Sequence, residues 1–233
     1  MNELIQQIKW QFILLQRNNV ITISIVVTAI YALFFFVIKD LGNTDKILTL
    51  LILNDPAIIG LFFIGLSVIM EKDQQVLAAL FVTPISHHFY LISRVLSLSI
   101  IGWVCALGMG FAAVGTSFHF IHFSAGVLGI CILSCLAGTW LVCYTAAFMR
   151  FMLKSIPILL IFVNLPLLNY FGVTDIGLFK IMPAQGSLNL IAASHDTSLS
   201  LSAIIYGYAS IVFWISLLYW LAYRTFMSKI VNV

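Results

Sequence analysis

The sequence predicts an all-α integral membrane protein, and three observations carry that expectation. Of the 233 residues, 62% are hydrophobic and 8% charged, whereas soluble domains carry about 25% charged residues. So few charges cannot cover a water-facing surface. The apolar residues gather into runs approaching the roughly 20 residues needed to cross a bilayer, separated by short polar connections. The Lys and Arg residues also divide unequally between alternate connections, as they do when a chain threads a membrane with a preferred orientation.

The first element, residues 3–17, reads as an interfacial elbow helix. At 100° per residue Leu4, Ile5, Ile8, Phe12 and Leu15 share one face, with Gln6, Gln7, Lys9 and Gln16 around it and Trp10 and Arg17 as headgroup-level anchors. No cleavable leader is expected, because no small-residue cleavage site follows the first apolar run. The first span covers 20–38, ending before Lys39-Asp40. Asn54-Asp55-Pro56 looks like a helix start, with an Asx cap and Pro at the first helical position, so the second span is placed at 56–70 with Asp55 read as its cap, the alternative being a functional intramembrane carboxylate. That span is short for a bilayer.

Residues 71–94, EKDQQVLAALFVTPISHHFYLISR, form the longest polar-bearing interruption. Glu71, Lys72, Asp73, Gln74 and Gln75 supply a wet start, and Val76, Leu77, Leu80 and Phe81 follow at helical spacing. Thr83-Pro84 closes the segment, because Pro pushes its predecessor out of the α region. A third span covers 95–116, rich in small residues from Gly102 to Gly115 that permit close helix approach. A fourth covers 125–149 and holds the small pair Ser134 and Gly138.

The fifth span, 156–171, contains Pro157, Asn164, Pro166 and Asn169 and is expected to be broken. Residues 172–202 mix apolar residues with Pro183, Gly186 and Asp196, and read as a half-buried re-entrant or interfacial hairpin. The sixth span covers 203–223. Six spans place both termini on one side, with Lys9, Arg17, Lys72, Arg94, Arg150, Lys154, Arg224 and Lys229. The other side keeps Lys39, Lys46 and Lys180. That asymmetry makes the first side cytoplasmic, in the cell (cytoplasmic or inner) membrane.

Much chemistry is missing from the sequence. No phosphate-binding Gly-rich loop, no His-Glu-x-x-His and no Gly-x-Ser-x-Gly occurs, so the chain is expected not to be an enzyme. The net charge of +3 gives no reason to expect a nucleic-acid partner. Cys105, Cys131, Cys135 and Cys143 lie inside apolar runs and read as small packing residues. His87-His88 read as interfacial polar residues. His119 and His122, three apart in SFHFIHFS, are the only pair suggesting a ligand, and without a nearby carboxylate or thiolate no metal site is expected.

The run DPAIIGLFFIG, then Glu71-Lys72, then a Leu-rich segment ending TPIS, then YLISR, resembles the permease subunits of type-2 ABC exporters. In its particular form it is similar to the small fluoroquinolone-type export permeases. Glu71, Thr83, Pro84, Ser86 and Arg94 carry the match over about residues 54–100. The resemblance implies a permease without cofactor, pairing with a second copy or a paralogue in the lipid bilayer. It also implies two separate ABC ATPase subunits, which hold ATP and Mg. Residues 72–84 would be the coupling helix, with Glu71, Lys72, Asp73, Gln75, Val76, Leu77, Leu80, Phe81, Thr83, Pro84 and Ser86 meeting the ATPase as a helix in a groove. The translocation path would draw on Thr22, Thr28, Tyr31, Asn164 and Asn169. Its largely apolar lining suits an amphiphilic cargo: a drug, a lipid or a hydrophobic peptide. The alternative is a non-energised membrane scaffold, or an assembly factor handling haem or metal through His119 and His122.

Overall fold

The computed structural model describes residues 2–17, 19–38, 44–74, 87–115, 117–195 and 200–231. Within them every regular element is helical. They are α1 (Asn2–Arg17), α2 (Val20–Ile38), α3 (Thr44–Asp73), α4 (His87–Val114), α5 (Phe120–Val142), α6 (Phe148–Leu159), α7 (Leu165–Tyr170), α8 (Pro183–His195) and α9 (Leu201–Phe226). Five helical stretches are long and apolar enough to cross a membrane, and a sixth appears if α1 and α2, bent by 68°, count as one span. The bend falls beside Asn19, whose φ of 57° lies in the left-handed region that Asn tolerates better than most residues. Leu15 and Phe12 then fold α1 onto the cluster formed by Val95 and Leu98 of α4, while Trp10 remains exposed.

Helix α3 is the axis of the bundle: 61% of its most apolar stretch is buried, against 17% for α9. It runs parallel to α5 at close range. A Cβ on Gly60 would lie 2.7 Å from the Cys131 carbonyl, and one on Gly138 would lie 2.8 Å from the Leu61 carbonyl. Both contacts are with backbone, so neither can yield without moving a helix. Helix α4 runs antiparallel to α3, and α2 packs along α4 with Thr28 against Gly108. The chain therefore alternates direction through the bundle. Arg17, Asp73, His87, Phe148 and Phe226 lie at one end, called here the Glu71 end, and Thr44, Val114, Phe120, Tyr170 and His195 lie at the other.

Three expectations need correction. Pro56 does not start a helix: it lies inside α3, which begins at Thr44. The apolar run before it is the reason, since Leu48, Ile52 and Leu53 are fully buried and carry the helix backward. Asn54 does not cap either; its Nδ2 donates to the Leu50 carbonyl one turn earlier (3.0 Å). Secondly, the fifth span is not broken. Pro166 has no N–H for the usual ladder, and the helix absorbs it by widening into a π turn over Leu160–Asn164, where Leu165 N–H reaches Leu160 O. The whole of Phe148–Tyr170 remains one membrane-length helix. Thirdly, α5 stops at Val142 rather than at 149, and Arg150 lies inside α6. Thr145 helps end α5 by directing both its N–H (3.2 Å) and its hydroxyl (3.4 Å) to the Val142 carbonyl.

Between α7 and α9 the chain dips and returns. After Tyr170, level with Thr49, residues 171–182 run back through a 3₁₀ turn at Gly177–Ile181 to Pro183, which lies beside Leu61, Leu133 and Val163 in mid-bundle. Helix α8 then climbs to the end it left, where the Ser194 carbonyl receives the His119 N–H (2.9 Å). The descending limb is exposed at Leu178 and Ile181, whereas the climbing limb buries Ala184, Leu188 and Ile191 in a cluster with Leu48 and Ile52 of α3, Val127 and Ile130 of α5 and Val163 of the fifth span. Gly186 makes that fit possible, since its Cβ would stand 2.8 Å from the Gly207 carbonyl.

Gly138→Ala is expected to lower stability by about 1–3 kcal/mol through overpacking of α3 on α5. Gly177→Ala, with nothing within 4 Å of its Cβ, should stay within about 0.5 kcal/mol. Melting temperatures in detergent micelles check this, and equal values for the two variants would contradict the close α3–α5 contact.

Candidate functional site: the base of the 75–86 segment

At the Glu71 end α3 and α4 are joined by residues 75–86, which lie outside the described residues together with the predicted contacts Gln75, Val76, Leu77, Leu80, Phe81, Thr83, Pro84 and Ser86. What the structure does describe is the base of that segment. Glu71, Lys72 and Asp73 are the last turn of α3 rather than the start of a separate helix. Antiparallel packing brings Glu71 level with Tyr90 and Arg94, one turn apart on α4. The Arg94 guanidinium makes an ion pair with Glu71 Oε1, and the Tyr90 hydroxyl donates to Glu71 Oε2 (2.6 Å). Arg94 also stacks over the Tyr90 ring, 4.9 Å from its centroid.

This pair is internal. Arg94 is 2% exposed and Glu71 12%, so both charges have given up most of their hydration. Burial of that kind is costly unless the partners satisfy each other, and Arg94 Nε and Nη1 find no acceptor. Its energetic contribution is consequently asymmetric: little is gained over an apolar pair, but much is lost if one partner goes. Glu71 was expected to face a partner; here both of its carboxylate oxygens are spent inside the chain. Tyr90 stands in the YLISR motif, but the motif alone assigns it no role. Its signal was present, as an acid ending one span and a Tyr-x-x-x-Arg opening the next, which an antiparallel turn must bring together.

Beside the pair the surface is open. Lys72 Nζ donates to the Val142 carbonyl (3.4 Å), which ties α3 to the end of α5. Lys72, exposed Asp73, Cys143, Tyr144, Thr145, Ala146 and Lys229 surround a cleft of about 560 Å³ at this end. The neighbouring α4 and α9 are joined by His88, which stacks on Tyr223 at 3.8 Å and bonds the Tyr219 hydroxyl (2.7 Å).

The expected path residues are not assembled at one place. Thr22 is exposed on α2. Thr28 bonds the Ser24 carbonyl (2.8 Å) and, with Tyr31, turns inward toward α3 and α4. Asn164 Nδ2 reaches back to the Leu159 carbonyl within the π turn (3.3 Å). Asn169 staples the following loop: Nδ2 donates to the Ile176 carbonyl (2.8 Å), and Oδ1 accepts from Thr174 and the Ile176 N–H. Asn164 and Asn169 thus serve their own backbone, which any sequence reading of Asn in a span finds hard to distinguish from a pathway role. His122 is bonded to the Tyr208 hydroxyl (2.9 Å), and no group of three or more metal-ligating side chains occurs among the described residues.

The sequence profile of the fluoroquinolones export permease protein family matches residues 2–233. The chain belongs to that family. It is a multi-pass membrane protein of the permease type. Two relatives are the fluoroquinolones export permease proteins of Mycobacterium tuberculosis strains CDC 1551 and H37Rv, each 28% identical over 158 residues. The aligned part covers 68% of this chain and 66%, just under two thirds, of each relative.

Removing one member of the ion pair, as in Arg94→Met, should cost about 3–5 kcal/mol by stranding a buried charge. The double variant Glu71→Leu/Arg94→Met should recover most of the loss. A double-mutant cycle on melting temperature measures both, and a neutral Arg94→Met would show that the pair is not buried in the membrane-embedded protein.

Proposed function

We propose that the chain is the membrane permease subunit of an ATP-driven ABC exporter that moves an amphiphilic cargo, such as a drug, a lipid or a hydrophobic peptide, out of the cytoplasm. Two separate ATPase subunits dock on the 72–84 segment, and a second copy of the chain or a paralogue completes the pathway. The family match over the whole chain supports the permease role. The observation that carries the mechanism is the buried Glu71–Arg94–Tyr90 lock. It clamps two bundle-long helices together at the root of residues 75–86, so a force applied to that segment moves α3 and α4 as one body instead of prying them apart.

The Glu71 end is then the cytoplasmic side. It holds Arg150 and Lys154 on α6 and Arg224 on α9, as the positive-inside rule requires. Asp73, Lys72 and the cleft beside them form the polar border of the docking surface, and Val76, Leu77, Leu80 and Phe81 supply its apolar anchors in the manner of a helix in a groove. Glu71 supports that surface without touching the partner. Pairing uses the exposed apolar faces, where Ile25, Ile30 and Leu33 of α2 and Leu153 and Leu160 of the fifth span meet lipid or a second chain.

The test uses the chain co-expressed with a candidate ABC ATPase from the same genome. Asp73→Lys combined with Leu80→Asp should abolish co-purification and ATP-dependent export while leaving insertion and melting temperature unchanged. An intact complex with undiminished export would refute docking at this segment.

A further inference from the structure

Asp55 is the charged residue that the architecture does not account for. It lies inside α3, about 13 Å along the axis from Lys46 at 1.5 Å per residue, within a membrane-length helix. Its side chain is 6% exposed, and no protein group bonds Oδ2. Among the described residues the other largely enclosed carboxylate, Glu71, has two partners. Asp55 is thus almost wholly removed from water, with one carboxylate oxygen buried and unbonded.

The surroundings are polar in a particular way. Tyr31 of α2 packs on the cluster that holds Ile52 and Ala57, which flank Asp55 on α3, and Ala106 of α4, next to Cys105. Thr28 of α2 lies against the Cys105 thiol, and Ser24, one turn away, leaves its buried hydroxyl without a partner. The titratable groups on the elements packed around α3 are Tyr31 of α2, His87, His88, Tyr90 and Cys105 of α4, His122, Cys131 and Cys135 of α5, Tyr170 of α7 and His195 of α8, of which His87, His88 and Tyr90 lie at the Glu71 end. The cations on those elements, Arg94, Arg150 and Lys154, belong to the Glu71 end, and Lys46 is exposed at the other. No described cation is placed to pair with Asp55. An unpaired carboxylate in an apolar interior either keeps a proton or takes a cation from outside.

We propose that Asp55, enclosed within α3, is the recognition site for the positively charged head of an organic cation, which exchanges with a proton on the carboxyl group. This rests on the exporter reading and narrows its cargo to amphiphiles carrying an ammonium-type charge. The exchange balances: the carboxyl O–H proton leaves to solvent as the cation arrives, and no covalent bond to carbon changes. The apolar helices supply affinity for the body of the molecule, whereas Asp55 selects the sign of its charge.

The test uses the full chain in nanodiscs with dodecyltrimethylammonium, whose fixed charge cannot itself supply a proton, and dodecanol as the neutral counterpart; empty nanodiscs give the lipid background. Binding of the cation to the wild type should release up to one proton per chain into weakly buffered solution. Its affinity should rise with pH by up to tenfold per unit while the carboxyl group is protonated. Asp55→Asn should weaken cation binding at least tenfold and abolish proton release, leaving dodecanol unaffected, and Asp55→Glu should restore the release. Should Asp55→Asn fail to fold, the wild-type pH profile decides, since a flat profile overturns the proposal. Equal binding of cation and dodecanol, or wild-type behaviour of a folded Asp55→Asn protein, also overturns it. Assembly with an ATPase is read separately, so failure here leaves the exporter reading standing.

Discussion

An arginine held at 2% exposure between two helices fixes the geometry of this protein more than any single apolar contact. Arg94 and Tyr90, one turn apart on α4, are satisfied only while Glu71 of α3 remains opposite them, which sets the register of α3 against α4. Apolar packing alone would tolerate a slip of one turn between such helices, because Leu, Ile and Val are nearly interchangeable there. A buried ion pair would not, since a slip strands both charges. The pair thus trades little net stability for a defined alignment at the root of the segment proposed to receive force.

Outward from that lock the bundle is organised by small residues. Gly60 and Gly138 draw α3 onto α5, and Gly186 draws α8 onto α9. In a membrane there is little hydrophobic gain from bringing helices together, so close backbone approach and van der Waals contact must supply the attraction. With the Glu71–Arg94 pair these contacts tie α3, α4 and α5 into a stiff inner group and seat α8 on α9. Helix α9 and the fifth span are left with broad exposed apolar faces. A stiff group with exposed flanks suits a unit that moves as a body and meets lipid or another chain at its sides.

Proline and asparagine were the residues least readable in advance. Pro56 and Pro166 suggested a start and a break, yet both lie in helices that continue past them. The reason is that a helix buried in apolar surroundings cannot release its backbone to water, so it reorganises the ladder rather than ending it. Asn164 and Asn169 bond carbonyls beside the irregular turns, which their positions in the sequence did not indicate. Polar side chains in a span answer first to the nearest unsatisfied backbone group.

The membrane class and the all-helical architecture were legible in the sequence, because both follow from how many apolar residues stand in a row. The motif from Glu71 to Arg94 also gave away the family. Which residues meet across helices was not legible, since that depends on register, and register is decided by contacts distant in the chain. Only the folded bundle turned Glu71 inward onto Arg94 and Tyr90, carried α3 back past Asp55, and so left one carboxylate enclosed without a cation. A one-dimensional pattern counts charges; the three-dimensional packing determines which of them are compensated.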